Sequence, residues 1–184
     1  MKLLALDLDG VTHRANDLVS INFRDGTPAW QMEVALKAQM RFVWADLLVP
    51  ILKDTDVAVI IHSTWRKRFS DNTMKQFLPP EVALRVISLD GQIKDRETAT
   101  ADDYVADALE LIEPSSVCVL DDRPEFFRGG RVKKWMDSAS GLFIWTNPDL
   151  GLQSLYARGQ LTAWSHSGPS HTPSHTPSQA PVPH

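Results

Sequence analysis

The chain lacks the features that mark secreted and membrane proteins. Cys118 is the only cysteine among 184 residues, which excludes an internal disulfide and fits a reducing compartment. No apolar run approaches the roughly 18 residues needed to span a bilayer. The N-terminal run is interrupted by Asp7 before it reaches the length of a signal peptide. We therefore expect a cytoplasmic protein with no membrane partner.

Positive charge is also scarce. The net charge of −4 gives no global attraction to nucleic acid, although a local basic patch could still bind phosphates. A content of 43% hydrophobic and 23% charged residues is ordinary for one soluble globular domain. The last segment, SHSGPSHTPSHTPSQAPVPH, is too polar and proline-rich to bury a core. We predict a folded domain over residues 1–164 and a disordered tail over residues 165–184.

Short apolar runs alternate with longer amphipathic ones along the domain. The runs show little polar alternation, which is typical of parallel strands buried on both faces. This order predicts an α/β fold with a doubly wound parallel sheet, in which ligands bind beyond the carboxyl ends of the strands. The predicted strands, with helices between them, are Lys2–Leu8, Val57–Ile61, Leu84–Leu89, Val117–Leu120 and Leu142–Trp145.

The first predicted strand ends in the sequence DLDG. In an extended chain Asp7 and Asp9 point to the same face, because side chains alternate with a period of two. Two carboxylates about 4 Å apart repel by roughly 4 kcal/mol at an effective dielectric of 20. A fold that brings them together therefore usually places a cation or a shared proton between them.

Polar residues follow the other predicted strands as well. Carboxylates, a hydroxyl and a cation at one sheet edge indicate a site for a divalent cation and a phosphate. Oxygen ligands favour Mg²⁺ over zinc, which prefers His or Cys. The residues in question are His62, Ser63, Thr64 and Arg66 after the second strand, Lys94 and Arg96 after the third, and Asp121, Asp122 and Arg123 after the fourth.

These residues carry a family resemblance. Asp7 with Asp9, Ser63, Lys94, and Asp121 with Asp122 stand in the order of the four motifs of the haloacid dehalogenase (HAD) superfamily of phosphohydrolases. The stretches HSTWR, VCVLDDRPEFF and TNPDLGLQSL are similar to the capless HAD domains of RNA-repair (Swiss Army Knife) proteins. The resemblance covers about residues 1–158 and implies a Rossmann-like HAD fold with little or no cap domain.

The resemblance also implies roles for the aspartates. Asp7 would attack phosphorus and form an aspartyl-phosphate, while Asp9 would protonate the leaving oxygen and later deprotonate the hydrolytic water. Mg²⁺ would bind the Asp7 carboxylate, the main-chain carbonyl of Asp9, and Asp121, with Asp122 nearby or acting through water. A carboxylate on the cation stays ionised, whereas a neighbour off the cation can hold a proton.

The phosphate-binding positions are implied in the same way. Ser63 would donate a hydrogen bond to a phosphoryl oxygen, and Lys94 would offset the charge on phosphate and nucleophile. A shift in register would put Thr64 in place of Ser63, or Arg96 in place of Lys94. Both alternatives stay open at the level of the sequence.

The substrate is indicated only broadly. Residues 10–28 predict a polar flap rather than a cap, and an open site favours a bulky substrate such as a polynucleotide end or a protein. Candidate substrate-binding residues are Thr64, Arg66 and Arg123. A nucleic-acid phosphate could be guided, and a base stacked, by the cluster Arg66, Lys67 and Arg68 with Trp65 alongside and Arg123 near the last motif. Alternatively, Trp65 belongs to the core and Arg66 anchors the site through an ion pair with an aspartate.

Together these features predict a Mg²⁺-dependent HAD-type phosphatase that hydrolyses a phosphomonoester on a nucleotide or a nucleic-acid end. Two alternatives are a phosphoprotein phosphatase and a HAD-fold binding module without catalytic activity. His13 and His62 are interpreted as packing or polar surface residues rather than ligands. The oligomeric state has no signal in the sequence.

Overall fold

The centre of the fold is a parallel sheet. A computed structural model describes residues 1–14, 28, 31, 42–93, 98–138 and 140–168. Within these ranges, four strands are hydrogen-bonded in the order β2-β1-β3-β4, all parallel. The strands are β1 (Lys2–Leu6), β2 (Val57–Ile61), β3 (Ser116–Asp121) and β4 (Ser140–Trp145).

Each face of the sheet is covered by helices. The helices in the described ranges are α1 (Leu48–Leu52), α2 (Asp71–Lys75), α3 (Pro80–Ala83), α4 (Ala101–Ile112), α5 (Arg131–Ser138) and α6 (Leu155–His166). Leu4 and Leu6 of β1 pack in one core with residues of α1 and α6. Leu3 and Ala5 face the other way, into a second core with residues of α4 and α5. The predicted doubly wound α/β fold is therefore confirmed.

The strands differ from the prediction in one important respect. Leu84–Leu89 is not a strand, because Leu84 still belongs to the turn that ends α3 and Val86 forms only an isolated bridge with Val59. Farther along, the Leu89 N–H donates to the Asp71 carboxylate at 2.7 Å rather than to a neighbouring strand. The segment therefore touches the edge of the sheet at one point without extending it. β1 also ends at Leu6, two residues before its predicted end.

The predicted domain boundary at residue 164 falls inside α6, which continues to His166. The last part of the predicted tail, residues 169–184, lies outside the described residues, as do residues 15–27 of the predicted flap. The part of the chain that the structure describes contains no cap domain. It also contains no helix with the length and apolar character needed to cross a membrane.

At the amino ends of the strands, buried polar groups bind the end of α6. The Lys2 ammonium donates to the main-chain oxygens of Trp164 at 2.6 Å and Ser165 at 3.1 Å, and to that of Ser167. The Trp164 indole donates to the Ser116 hydroxyl at 2.9 Å. Lys2 therefore supplies the positive charge that the C-terminus of a helix favours.

Candidate active site

Three aspartates converge at the carboxyl ends of the two central strands. The Asp7 N–H donates to the carbonyl of Leu120 at 3.0 Å, so the pairing of β1 with β3 continues one residue past the end of β1. This pairing places Asp7 beside Asp121. One carboxylate oxygen from each of Asp7, Asp121 and Asp122 lies within 4.8 Å of the others. We call these three residues the acidic group.

The acidic group resists ionisation. Burial raises the pKa of Asp7 well above its usual range, the negative charges of Asp121 and Asp9 raise it further, and a hydrogen bond with the Ser63 side chain opposes them. Burial also raises the pKa of Asp121 to about 7, against a 2.6 Å hydrogen bond from the Arg123 N–H. Crowded carboxylates in a shielded site need a positive charge to stay ionised together.

The chemistry of the acidic group fits a divalent cation. The buried Oδ1 atom of Asp122 accepts no hydrogen bond from the described residues, and the Arg123 Nε lies 3.7 Å away from it. A buried, unsatisfied carboxylate oxygen is costly unless a ligand completes its coordination. Asp7, Asp121 and Asp122 could therefore hold a metal ion through oxygen ligands.

Gly10 makes room for this arrangement. Its φ of +66° is a left-handed conformation that glycine adopts without strain. A Cβ at this position would lie 2.3 Å from Oδ2 and 2.8 Å from Cβ of Asp122. The glycine thus turns the chain after Asp9 and lets Asp122 pack directly against the backbone of the first motif.

Asp9 has different partners from Asp7. The Trp65 indole N–H donates to both of its carboxylate oxygens, at 3.0 and 2.9 Å, and His13 Nε2 lies 3.1 Å from Oδ1. The Thr12 hydroxyl donates a hydrogen bond to the Leu8 carbonyl, so its oxygen can accept a hydrogen bond from His13 Nδ1. The Asp9 side chain is therefore held outside the acidic group.

Trp65 reaches Asp9 because β2 lies next to β1 in the sheet. A 3₁₀ turn over Thr64–Lys67 follows β2, and the Ser63 side chain caps it by accepting the Trp65 N–H. The indole ring stacks on Phe69 at 5.8 Å between centroids and meets the edge of Phe42 at 6.0 Å. Trp65 is thus half-buried, neither a core residue nor a free platform for a base.

The sequence did not predict the contacts that Trp65 and His13 make with Asp9. From sequence, Trp65 is expected either to stack on a base or to belong to the core, and His13 is expected to be a packing or polar surface residue. The position of Trp65 in the sequence could have indicated its contact, because Trp65 comes shortly after the end of the strand that pairs with β1. His13 follows Asp9 by four residues, and an isolated bridge links the two.

The phosphate-binding candidates are only partly described. Ser63 is buried, and a hydrogen bond with its side chain lowers the pKa of Asp7. Thr64 is exposed and lines the pocket above the aspartates. Lys94 and Arg96 lie outside the described residues, so the choice between them stays a prediction.

Arg66, a predicted substrate-binding residue, is turned inward. Its side chain is buried, and its guanidinium donates to the carbonyls of His62 at 2.7 Å and Ser63 at 3.1 Å. The same group lies over the Tyr104 ring at 5.0 Å. An arginine turned inward in this way anchors the turn after β2. The predicted contact of Arg66 with a substrate phosphate, and its alternative ion pair with an aspartate, both stay predictions.

Arg123 keeps an accessible side chain at the site. Its side chain is half-exposed and lies over the Phe126 ring at 5.5 Å. His62, by contrast, is buried against Phe127, and burial together with the charge of Arg66 lowers its pKa to about 3. His62 is therefore neutral beside Asp121. Arg123 is the cationic side chain among the residues that line the described pocket.

The pocket itself is small. Its cavity volume of about 20 Å³ holds little more than one or two water-sized groups. The lining residues are Asp7, Asp9, His62, Thr64, Ala101, Asp121, Arg123 and Phe126.

Comparison with known proteins places the chain in a family. A family model described as the HAD domain in Swiss Army Knife RNA repair proteins matches residues 3–157. Because the match spans most of the chain, the protein belongs to this family of HAD domains, and the resemblance drawn from its motifs is confirmed. No curated protein and no solved structure matches the chain. The parallel sheet with order β2-β1-β3-β4 is accordingly a HAD-like fold.

Proposed function

We propose that the protein is a Mg²⁺-dependent phosphatase that hydrolyses a phosphomonoester, through an aspartyl-phosphate on Asp7, at a nucleotide or nucleic-acid end. The observation that carries this proposal is the acidic group, with one oxygen from each of three aspartates within 4.8 Å, beside a separately held Asp9. Membership in a family of HAD domains from RNA repair proteins supports both the chemistry and the substrate class.

Asp7, Asp121 and Asp122 would hold the cation. When bound, Mg²⁺ would offset the charge of the carboxylates and of the substrate phosphate and would polarise a phosphoryl oxygen. Within the described residues the acidic group has one neighbouring cation, the half-exposed Arg123, which lies 3.7 Å from Asp122. A second positive charge is therefore needed for Asp7 to react as a carboxylate at neutral pH.

The reaction divides between Asp7 and Asp9. An oxygen of Asp7 attacks phosphorus, the bond from phosphorus to the leaving oxygen breaks, and Asp9 gives its proton to that oxygen. In the second half, Asp9 takes a proton from water while the water oxygen attacks phosphorus. The bond between phosphorus and Asp7 then breaks, which releases phosphate and restores both carboxyl groups.

The surroundings suit these two roles. Asp7 lies in the acidic group, where a cation would keep it ionised, whereas the Asp9 side chain is turned away toward Trp65 and His13. Ser63 would donate to a phosphoryl oxygen, and Lys94 would offset charge from outside the described residues. Thr64 and Arg123 border the pocket and would contact the substrate next to its phosphate.

The proposal is tested by phosphate release. We expect wild-type protein to release phosphate from phosphorylated oligonucleotides faster than from phosphopeptides, in a reaction that needs Mg²⁺ and stops in EDTA. Free nucleotides and oligonucleotides phosphorylated at the 3′ or the 5′ end complete the panel. Faster turnover of phosphopeptides would favour the phosphoprotein phosphatase. Binding of phosphorylated oligonucleotides without release would favour the non-catalytic module.

The Asp7→Asn variant tests the nucleophile. We expect turnover to fall on the order of 10⁴-fold or more, a loss typical of removing a catalytic nucleophile, with the fold retained. Asp56→Asn is the matched control, because Asp56 is an exposed carboxylate just before β2, at the other end of the sheet. Turnover of Asp7→Asn at the wild-type rate would show that the nucleophile is assigned wrongly.

A further inference from the structure

We propose that Trp65 is a positioning residue that holds the acid/base Asp9 at the leaving oxygen and keeps its carboxylate out of the acidic group; this inference rests on the proposed function. The indole nitrogen lies 3.0 Å from Oδ1 and 2.9 Å from Oδ2 of Asp9, so its N–H donates to both carboxylate oxygens. The Asp9 side chain is only 21% exposed, and water therefore does little to fix its orientation.

The chemistry of the indole suits this role. An indole N–H donates a hydrogen bond and does not accept one, and it neither gains nor loses a proton near neutral pH. It can thus hold Asp9 in both half-reactions without competing for the proton that Asp9 transfers. His13, the other partner of Asp9, contacts only one carboxylate oxygen, and its imidazole, unlike the indole, can gain or lose a proton. Orientation is therefore attributed to Trp65.

The position of the indole is itself well determined. The ring is packed between Phe69 and Phe42, which are both buried. The main chain at Trp65 is capped by Ser63, the residue expected to bind phosphate. Ser63, which is proposed to bind phosphate, and Trp65, the anchor of Asp9, thus lie two residues apart in one segment.

This role predicts a dependence on the leaving group. A poor leaving group such as an alkoxide needs the proton from Asp9 as its bond to phosphorus breaks, whereas p-nitrophenolate leaves with little assistance. Misplacing Asp9 should therefore slow the first substrate much more than the second. The ratio kcat/KM isolates this effect, because it reports steps only up to formation of the aspartyl-phosphate.

The test compares Trp65→Phe with wild type on a primary alkyl phosphate and on p-nitrophenyl phosphate. Phenylalanine keeps an aromatic ring between Phe69 and Phe42, and it removes the N–H together with part of the packing area of the indole. We expect kcat/KM to fall by about 10- to 100-fold on the alkyl ester and by less than about 3-fold on the aryl ester. The control Phe69→Leu loosens the packing but keeps the N–H, and should affect both esters alike.

A second measurement does not depend on activity. The indole ¹H–¹⁵N resonance that disappears in Trp65→Phe belongs to Trp65, and Asp9→Ala should shift it by removing the acceptor. A resonance unmoved by Asp9→Ala, or an equal loss of kcat/KM on both esters, would overturn the positioning role alone. Failure of the wild-type protein to release phosphate from any ester would instead overturn the proposed function.

Discussion

The buried polar groups at the two ends of the sheet differ in whether hydrogen bonds satisfy them. At the amino ends, Lys2 and Ser116 are buried and hydrogen-bonded, Lys2 to main-chain oxygens at the end of α6 and Ser116 to the indole of Trp164. At the carboxyl ends, the acidic group is crowded and Oδ1 of Asp122 accepts no hydrogen bond within the described residues. One end is complete as folded, whereas at the other the described residues place three aspartates beside one cation, Arg123.

This difference indicates that the polar groups at the amino ends contribute to stability and those at the carboxyl ends to function. Satisfied polar contacts at the amino ends lower the free energy of the folded state. Burial of like-charged carboxylates at the carboxyl ends raises it, and such a cost persists where a ligand is meant to offset it. Removal of a charged side chain should therefore lower the free energy of unfolding at the amino ends and raise it at the carboxyl ends, with different consequences for activity.

The largest effect on stability is expected at Gly10. Gly10→Ala introduces a side chain at a φ of +66° and forces the Asp122 side chain to move, since the new Cβ would lie 2.3 Å from Oδ2. We expect the free energy of unfolding to fall by about 3 kcal/mol or more, with a loss of Mg²⁺-dependent activity. Urea denaturation and phosphate release measure the two effects.

Gly91 provides the control for Gly10. Its φ is +76°, but no atom of the described residues lies within 4 Å of the position where a Cβ would stand. Gly91→Ala should thus cost only the strain of the left-handed conformation, about 1 kcal/mol. Equal losses in the two variants would mean that contact with Asp122 plays no part.

Lys2→Met tests the amino ends. The methionine keeps the apolar stem but leaves the carbonyls of Trp164 and Ser165 without their charged donor. We expect the free energy of unfolding to fall by about 2–3 kcal/mol, as for hydrogen bonds from a charged group. Below the unfolding transition, kcat should be unchanged; a large loss of kcat would break the separation between the two ends.

Apart from the Gly91 control, the smallest effect on the free energy of unfolding is expected for Asp121→Asn in metal-free protein, and here stability should rise rather than fall. The folded protein raises the pKa of Asp121 from 3.8 to about 7. Folding therefore favours the protonated acid, and the stability it contributes below pH 3.8 is lost as pH rises toward 7. Asparagine avoids this loss. At about pH 8 in EDTA we expect the variant to be more stable by about 1–2 kcal/mol.

Two further results would complete this test of Asp121. Near pH 3.5, below the ordinary pKa of an aspartate, the variant and wild type should have similar stability. Added Mg²⁺ should raise the melting temperature of wild type more than that of the variant, because the variant has lost one carboxylate of the acidic group. A variant less stable than wild type at pH 8 would show that Asp121 is not under electrostatic stress.

Much of the fold could be predicted because buried parallel strands leave a local pattern. The bounds of β2 match the prediction, and each end of β1, β3 and β4 lies within two residues of its predicted position. Leu84–Leu89 has the same apolar character, yet it is drawn away by the end of α3 and by the Asp71 carboxylate. A contact of this kind, with a side chain distant in sequence, cannot be predicted from the apolar pattern of the segment.

The acidic group could be anticipated for the same local reason. Asp7 and Asp121 each stand at the end of an apolar run, and neighbouring parallel strands bring their carboxyl ends to one edge. The roles of Trp65 and Arg66 could not be anticipated in this way. These adjacent residues turn to opposite sides, one toward Asp9 and the other into the interior.

The amino-acid order alone was thus enough to specify a parallel sheet with aspartates at one edge, since hydrophobic periodicity acts over a few residues. Tertiary packing alone determined that Asp9 binds an indole from the turn after β2 while Asp7 joins the acidic group. Hydrogen bonds between side chains distant in sequence depend on how separate elements pack. Their partners become defined only when the helices and turns have closed over the sheet.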